Sequence, residues 1–241
     1  ITDTRGVPVV TKNSNGDILV GEYNDIGVLK YKTTRAKIVS LFDSLGIKKE
    51  IHEKIKQIIT INDTLYFATS TKVYSLSNSN VEKLVEHKKL QLFRGKELYV
   101  YLEEKGLYRL HNKTLHQLFN ARQIKGSVKS LTLKHDKVYF STRDQLYIIK
   151  EDKPVKLRNE AESYFQKHNI SDIEIIDSTS LAIGTHSGGI VLLNEKGSIL
   201  NILNKNTNLF DAQVNKLYFD KNYNLWALHN DGISRIELST G

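Results

Sequence analysis

Cysteine is absent from this chain, and so is methionine. Without a thiol there is no disulfide, no cysteine-ligated zinc and no thiol nucleophile. Proline occurs only at Pro8 and Pro154, too rarely for a proline-rich linker. Tryptophan occurs once, at Trp226. No apolar run approaches the roughly 18 residues of a membrane-spanning helix, and no secretory signal pattern opens the sequence. A chain that starts at Ile1 and holds no methionine is expected to be a processed or excised piece of a longer protein, with any membrane anchor in flanking sequence. Acidic residues are outnumbered, and the net charge is +8. The basic residues nevertheless lie scattered, in pairs such as Lys48-Lys49 and Lys88-Lys89. A nucleic-acid footprint requires clustering on one face, whereas scattered lysines suit exposed strand edges. No nucleic-acid partner is expected.

What the 241 residues do contain is a repeat. The last copy is the most regular. It reads as an apolar segment from Val214, a polar turn at Asp220 to Asn224, a second segment from Leu225, a turn at Asn230 to Gly232, and a third segment to Ile236. Equivalent second-segment positions are Ile18, Leu65, Leu98, Val138, Leu181 and Leu225, spaced by 47, 33, 40, 43 and 44 residues. A period of this length suits four short strands joined by tight turns. Second and third segments such as Leu65-Tyr-Phe-Ala68 and Gly189-Ile-Val-Leu-Leu193 are nearly continuous apolar runs, which requires cover on both faces. Glycine at the head of the third segment supplies turn freedom.

The predicted fold is therefore an all-β propeller of six four-stranded antiparallel blades, or part of a seven-bladed one. The whole chain, 1–241, is read as one propeller domain. Approximate blades are 5–43, 54–87, 88–120, 126–158, 170–205 and 212–241, with charged insertions at 43–56 and 159–169 that have helix-like spacing. The last copy has three strands, and Ile1 to Thr4 is a candidate to complete it.

Asn208 to Val214, Asp220, Asn224-Leu-Trp226 and Asp231-Gly-Ile233 together resemble the two-component regulator propeller repeat. Leu181-Ala-Ile-Gly-Thr185 with Gly188-Gly-Ile190, and Asn15-Gly-Asp-Ile-Leu-Val-Gly21, share the pattern. The three central copies are degenerate, and Ala227-Leu228 stand where the repeat has Ile-Gly. The resemblance implies a periplasmic sensor region of a bacterial inner-membrane regulator, with a membrane helix and a kinase or DNA-binding output outside this chain. It implies an oligosaccharide ligand from glycan breakdown, self-association as a dimer in the full-length regulator, and no cofactor.

Position in the repeat selects the candidate ligand residues, because propellers bind at the loops between second and third strands and at the blade connections. Those positions hold Tyr23, Asn24, Arg143, Asp144, His186, His229, Asn230 and Asp231, with Phe210 and Asp211 from a connection. Planar amides, charges and aromatic faces suit sugar hydroxyls and stacking; the same residue types are also what turns require. His186 and His229 occupy equivalent places in adjacent copies, a pair that suits a metal or a pH response or two solvated turns. No H-x-H or H-E-x-x-H spacing occurs, and no metal is expected. Gly184 to Gly189 lacks the lysine of a phosphate loop and reads as a hairpin. Glu103 and Glu104 adjoin, so their side chains point oppositely in an extended strand and do not form an acid–base pair. Trp226 is expected to pack between blades. No constellation of catalytic groups emerges, which favours a binding module over an enzyme. The alternative to a sensor is a docking or dimerisation scaffold without a small ligand.

Overall fold

The computed structural model describes residues 9–32, 35–134, 137–177 and 180–238. The proposed closing segment Ile1 to Thr4 lies outside the described residues. The fold is a six-bladed β-propeller, and each blade is an antiparallel meander in which neighbouring strands are consecutive in sequence.

The chain divides into two compact units, residues 1–117 and 118–241. The first unit opens with a sheet of β1 (Val9–Lys12), β2 (Ile18–Gly21), β3 (Ile26–Lys32) and β4 (Arg35–Ser40). After the short helix α1 (Leu41–Leu45) comes a sheet of β5 (Gln57–Ile61), β6 (Thr64–Ala68), β7 (Lys72–Ser77) and β8 (Asn80–Glu86). The third sheet holds β9 (Leu90–Arg94), β10 (Leu98–Leu102), β11 (Gly106–His111) and β12 (Thr114–Asn120), whose last residues lead into the second unit. There the fourth sheet is β13 (Ser130–Lys134), β14 (Lys137–Ser141), β15 (Leu146–Lys150) and β16 (Lys153–Lys156). Helix α2 (Glu162–His168) precedes a fifth sheet of β17 (Ile170–Ile175), β18 (Ser180–Thr185), β19 (Ile190–Asn194) and β20 (Ile199–Leu203). The sixth sheet has three strands among the described residues, β21 (Lys216–Phe219), β22 (Asn224–Leu228) and β23 (Ile233–Glu237).

Burial follows position in the blade. Every residue of β10 and of β18 is buried, while β4 and β16 are mostly exposed. β10 and β18 are covered on both faces, which explains why their sequences do not alternate. The covering layers repeat. Phe67 pairs with Tyr74 across β6 and β7, their rings stacked at 5.2 Å, and Phe140 pairs with Tyr147 across β14 and β15 at 4.9 Å. Turns repeat as well. Asn78-Ser79, Asn112-Lys113 and Glu151-Asp152 all have positive φ at both residues, the geometry of a two-residue hairpin whose twist matches the strands.

α1 and α2 anchor the two insertions. The Ser40 side chain accepts the Asp43 N–H to start α1, and Phe42 is wholly buried beneath it. In α2 the buried anchor is Phe165, packed with Leu146, Ile170 and Val191. Trp226 differs from expectation. It is half-buried, on the opposite face of β22 from the core residues Leu225 and Ala227, and its indole N–H donates to the Asp220 carboxylate at 2.7 Å.

Candidate functional site

The loops joining second to third strands, and the connections between blades, carry every candidate residue named from the repeat. In residues 1–117 these groups are largely engaged in holding the connections. The Asn24 carboxamide donates to the Lys49 carbonyl at 2.7 Å and accepts the N–H groups of Ile51 and His52 at 2.8 and 3.0 Å. Tyr23 donates its hydroxyl to the His52 carbonyl at 2.9 Å, although its side chain remains exposed. Beside them buried Asp25 pairs with Lys49 at 2.9 Å. Further round, Lys72 pairs with Glu53 at 2.7 Å, Lys89 with Glu103 at 2.9 Å and Lys88 with Glu104 at 2.8 Å. The Lys72 ammonium holds the Glu53 carboxyl below its usual range.

Residues 118–241 use the corresponding positions differently. Five segments are stitched edge to edge into one continuous arc. The Ile170 N–H donates to the Arg143 carbonyl at 2.6 Å, and Arg143 Nε donates to Asn169 Oδ1 at 2.6 Å. His186 N–H donates to the carbonyls of His168 and Asn169, at 3.1 and 2.9 Å. Gly189 N–H reaches the Ala212 carbonyl at 2.8 Å, and Val214 N–H reaches that of Thr185 at 2.9 Å. Finally His229 Nδ1 meets the Gln213 carbonyl at 2.7 Å. A carbonyl can only accept, so Nδ1 carries the proton there. Its Nε2 lies 2.8 Å from the Ser234 hydroxyl.

Local sequence dictates this stitching. Gly188 lies under α2, where an added Cβ would stand 2.7 Å from Tyr164 and His168 atoms, and Tyr164 donates to the Gly188 carbonyl at 2.7 Å. Gly189 has φ +80°, and a Cβ there would lie 2.0 Å from the Leu203 carbonyl oxygen. Burial, then the charge of Lys167, lowers the pKa of His168, and its Nδ1 lies 2.9 Å from the Ser187 hydroxyl.

At one end of the arc the two histidines part company. His186 is exposed, whereas His229 is 2% exposed. The Phe210 ring lies against His229 with centroids 5.8 Å apart and is 60% exposed. Gly232 leaves it room, since a Cβ there would stand 3.1 Å from Phe210. Beside this ring Asn230 Oδ1 accepts from Asn215 Nδ2 at 2.8 Å and Gln213 Nε2 at 3.4 Å. Asp231 is exposed at the same loop tip, and Asp144 is half-buried next to Arg143. Asp211 pairs with Lys205 at 3.1 Å, which holds its carboxyl below the usual range. The arrangement thus offers an open aromatic face, a set of carboxamides and one guanidinium. Two serine hydroxyls lie within hydrogen-bond reach of imidazoles, Ser187 of His168 and Ser234 of His229, and among the described residues no three His, Cys, Asp or Glu side chains gather as a metal site.

Asn169, Gln213 and Asn215 belong to this arc, and the repeat pattern does not single them out. Gln213 and Asn215 flank buried Val214 in the connection that precedes β21.

No protein-family model matches the chain, and no curated protein matches it. Solved structures do. The extracellular domain of BT4673 from B. thetaiotaomicron, described as a one-component system, superposes with a TM-score of 0.70 at 15% identity over 94% of this chain and 32% of that one. PorZ, a surface component of the type-IX secretion system of Porphyromonas gingivalis, gives 0.63 at 13% identity over 95% of this chain and 38% of that one. Virginiamycin B lyase from Staphylococcus aureus gives 0.71 at 11% identity over 98% and 85%. The chain spans about a third of the length of the first two. Likeness to a signalling protein, a secretion component and a lyase establishes the propeller fold, and function must be argued from the site.

Proposed function

We propose that this chain is the ligand-sensing, extracytoplasmic propeller of a bacterial transmembrane regulator, and that the loop arc of residues 118–241 takes an oligosaccharide. The observation that carries the reading is the open Phe210 ring, seated on His229 and bordered by the carboxamides of Asn230, Asn215 and Gln213. An apolar face offers stacking to a sugar ring, and amides both donate to and accept from its hydroxyls. The repeat resemblance and the likeness to the BT4673 extracellular domain support the sensor setting. In that setting the ligand acts only through unequal affinity for two states of the receptor, and the ring binds without catalysing.

The test is a thermal-shift screen of a glycan library against the wild type and Phe210→Ala. At least one glycan is expected to raise the wild-type midpoint. Phe210→Ala should keep its own midpoint, as exposed substitutions change stability by about 0.5 kcal/mol or less, and should lose the glycan response. A library without a single stabilising member, or an undiminished response in Phe210→Ala, ends the reading.

The scaffold alternative has its own supporting observation. On one face of the sixth sheet Tyr218, Leu228 and Ile233 are exposed by 62%, 44% and 64%, and β23 pairs only with β22 among the described residues. An exposed apolar face of this kind suits self-association. Concentration-dependent sedimentation that Ile233→Lys abolishes would favour it.

A further inference from the structure

A second site is built into the first unit, at the opposite end of the blades from the Tyr23 loop. Between the first and second sheets runs a cleft of about 530 Å³. Its floor is aliphatic, formed by the buried side chains of Leu19, Leu65 and Leu76. Its mouth is lined by hairpin amides, chiefly Asn13, Asn62 and Asn78. Three charged side chains line it: Lys30 Nζ lies 2.9 Å from Asp17, and exposed Asp63 stands beside Asn62.

Thr60 distinguishes this cleft from an ordinary gap between blades. It lines the cleft, is 7% exposed, and its hydroxyl is buried without a hydrogen-bond partner. An unpartnered buried hydroxyl costs free energy and rarely persists in a native protein without a reason. Thr60 pairs across the sheet with Leu65 of the cleft floor and lies two residues from Asn62 at the mouth.

We propose that the cleft binds a small uncharged amphiphile, with a short aliphatic tail on the leucine floor and a hydroxyl-bearing head among the amides and Thr60. Asp17 and Asp63 outnumber Lys30 at the mouth and disfavour an anionic head, and the aliphatic floor leaves little for a purely polar ligand. The inference does not depend on the sensor reading, because it uses different residues in the other unit.

The experiment is titration calorimetry on the whole chain with n-octyl β-D-glucoside below its micelle-forming concentration, compared with glucose and with octyl sulfate. Saturable one-site binding is expected for the glucoside, none for glucose, and affinity at least about tenfold lower for the sulfate, whose charge must be desolvated. Thr60→Val keeps the shape and removes the hydroxyl. It should leave the thermal midpoint unchanged or raised, because no polar atom is then stranded, and should weaken glucoside binding by about tenfold, the worth of one good hydrogen bond. Absence of saturable glucoside binding, equal affinity for the sulfate, or undiminished binding by Thr60→Val would each overturn the proposal.

Discussion

The carboxylate of Asp172, in β17, accepts the backbone N–H of Leu217 in β21 at 2.9 Å, across 45 residues of sequence. The same carboxylate accepts the Ser130 hydroxyl from β13 and lies 3.1 Å from Lys216 Nζ. The Ile173 N–H in turn donates to Ser130 Oγ at 3.2 Å. One buried side chain thus ties together the first strands of three successive sheets. A register shift between Ile170 and Asp172 leaves Ser171 as the extra residue of a bulge immediately before it, a feature that re-aims the next side chain. Removing Asp172 strands a buried N–H and a hydroxyl. Asp172→Ala is expected to cost about 3 kcal/mol, measured by urea unfolding, against less than about 0.5 kcal/mol for an exposed control such as Lys153→Ala. Equal midpoints for the two variants would refute the tie.

Two residues on, burial raises the pKa of Glu174 to about 7, and the Asp172 carboxylate pushes the same way. A carboxyl raised by folding binds its proton more tightly in the native state. Its contribution is therefore present below the unfolded value near 4.5 and is lost as pH rises through about 7. The whole shift corresponds to about 3 kcal/mol as an upper bound. Glu174→Gln removes the titration. Relative to the wild type, the variant is expected to gain stability between pH 5 and pH 8, read as the difference of urea midpoints. A difference independent of pH would contradict the assignment.

Asp220 shows the opposite shift. The Trp226 indole N–H, followed by the N–H and amide of Asn224, lowers its pKa to about 2. This contribution is present above the normal carboxyl value of 3.8 and is lost as pH falls through about 2. Trp226→Phe removes the first cause and keeps the ring. The Asp220 carboxyl, followed by NMR, should then titrate at a clearly higher pH. An unchanged titration would show that the indole is not its principal partner.

Asn24 combines two requirements. Its side chain makes three hydrogen bonds to the segment Lys49 to His52, and its φ is +59°. Alanine loses both, and about 2 to 3 kcal/mol is expected. Glycine restores the backbone but not the bonds, so Asn24→Gly should fall between wild type and Asn24→Ala. Limited proteolysis should cut both variants faster within residues 46–53. Wild-type resistance in Asn24→Ala would remove the structural role.

Blades were legible because a strand covered on both faces must be apolar throughout, as Leu65-Tyr-Phe-Ala68 and Leu181-Ala-Ile-Gly184 are. Turns were legible where glycine marks them, as at Gly189, and not at Glu151-Asp152, a two-residue hairpin with positive φ at both residues and neither glycine nor asparagine. Side-chain roles in the loops were harder to read. His186 and His229 are equivalent by repeat position, yet only His229 meets a carbonyl and a serine that bury it. Asn24 has the chemistry of a sugar-binding amide, but its partners lie 25 to 28 residues away. Asp172 and Glu174 sit inside a segment that reads as an ordinary apolar strand, and nothing local announces a carboxylate that serves three sheets. Long-range hydrogen bonds leave no periodic trace, whereas burial does.

The most direct test of the sensor account is a chemical-shift map of the backbone amides with the strongest binder from the glycan screen. The perturbed amides should cluster at 168–170, 185–189, 210–215 and 229–232, and the same titration of Phe210→Ala should leave them unmoved. Shifts gathered on the outer strands, or on none of these segments, would contradict it.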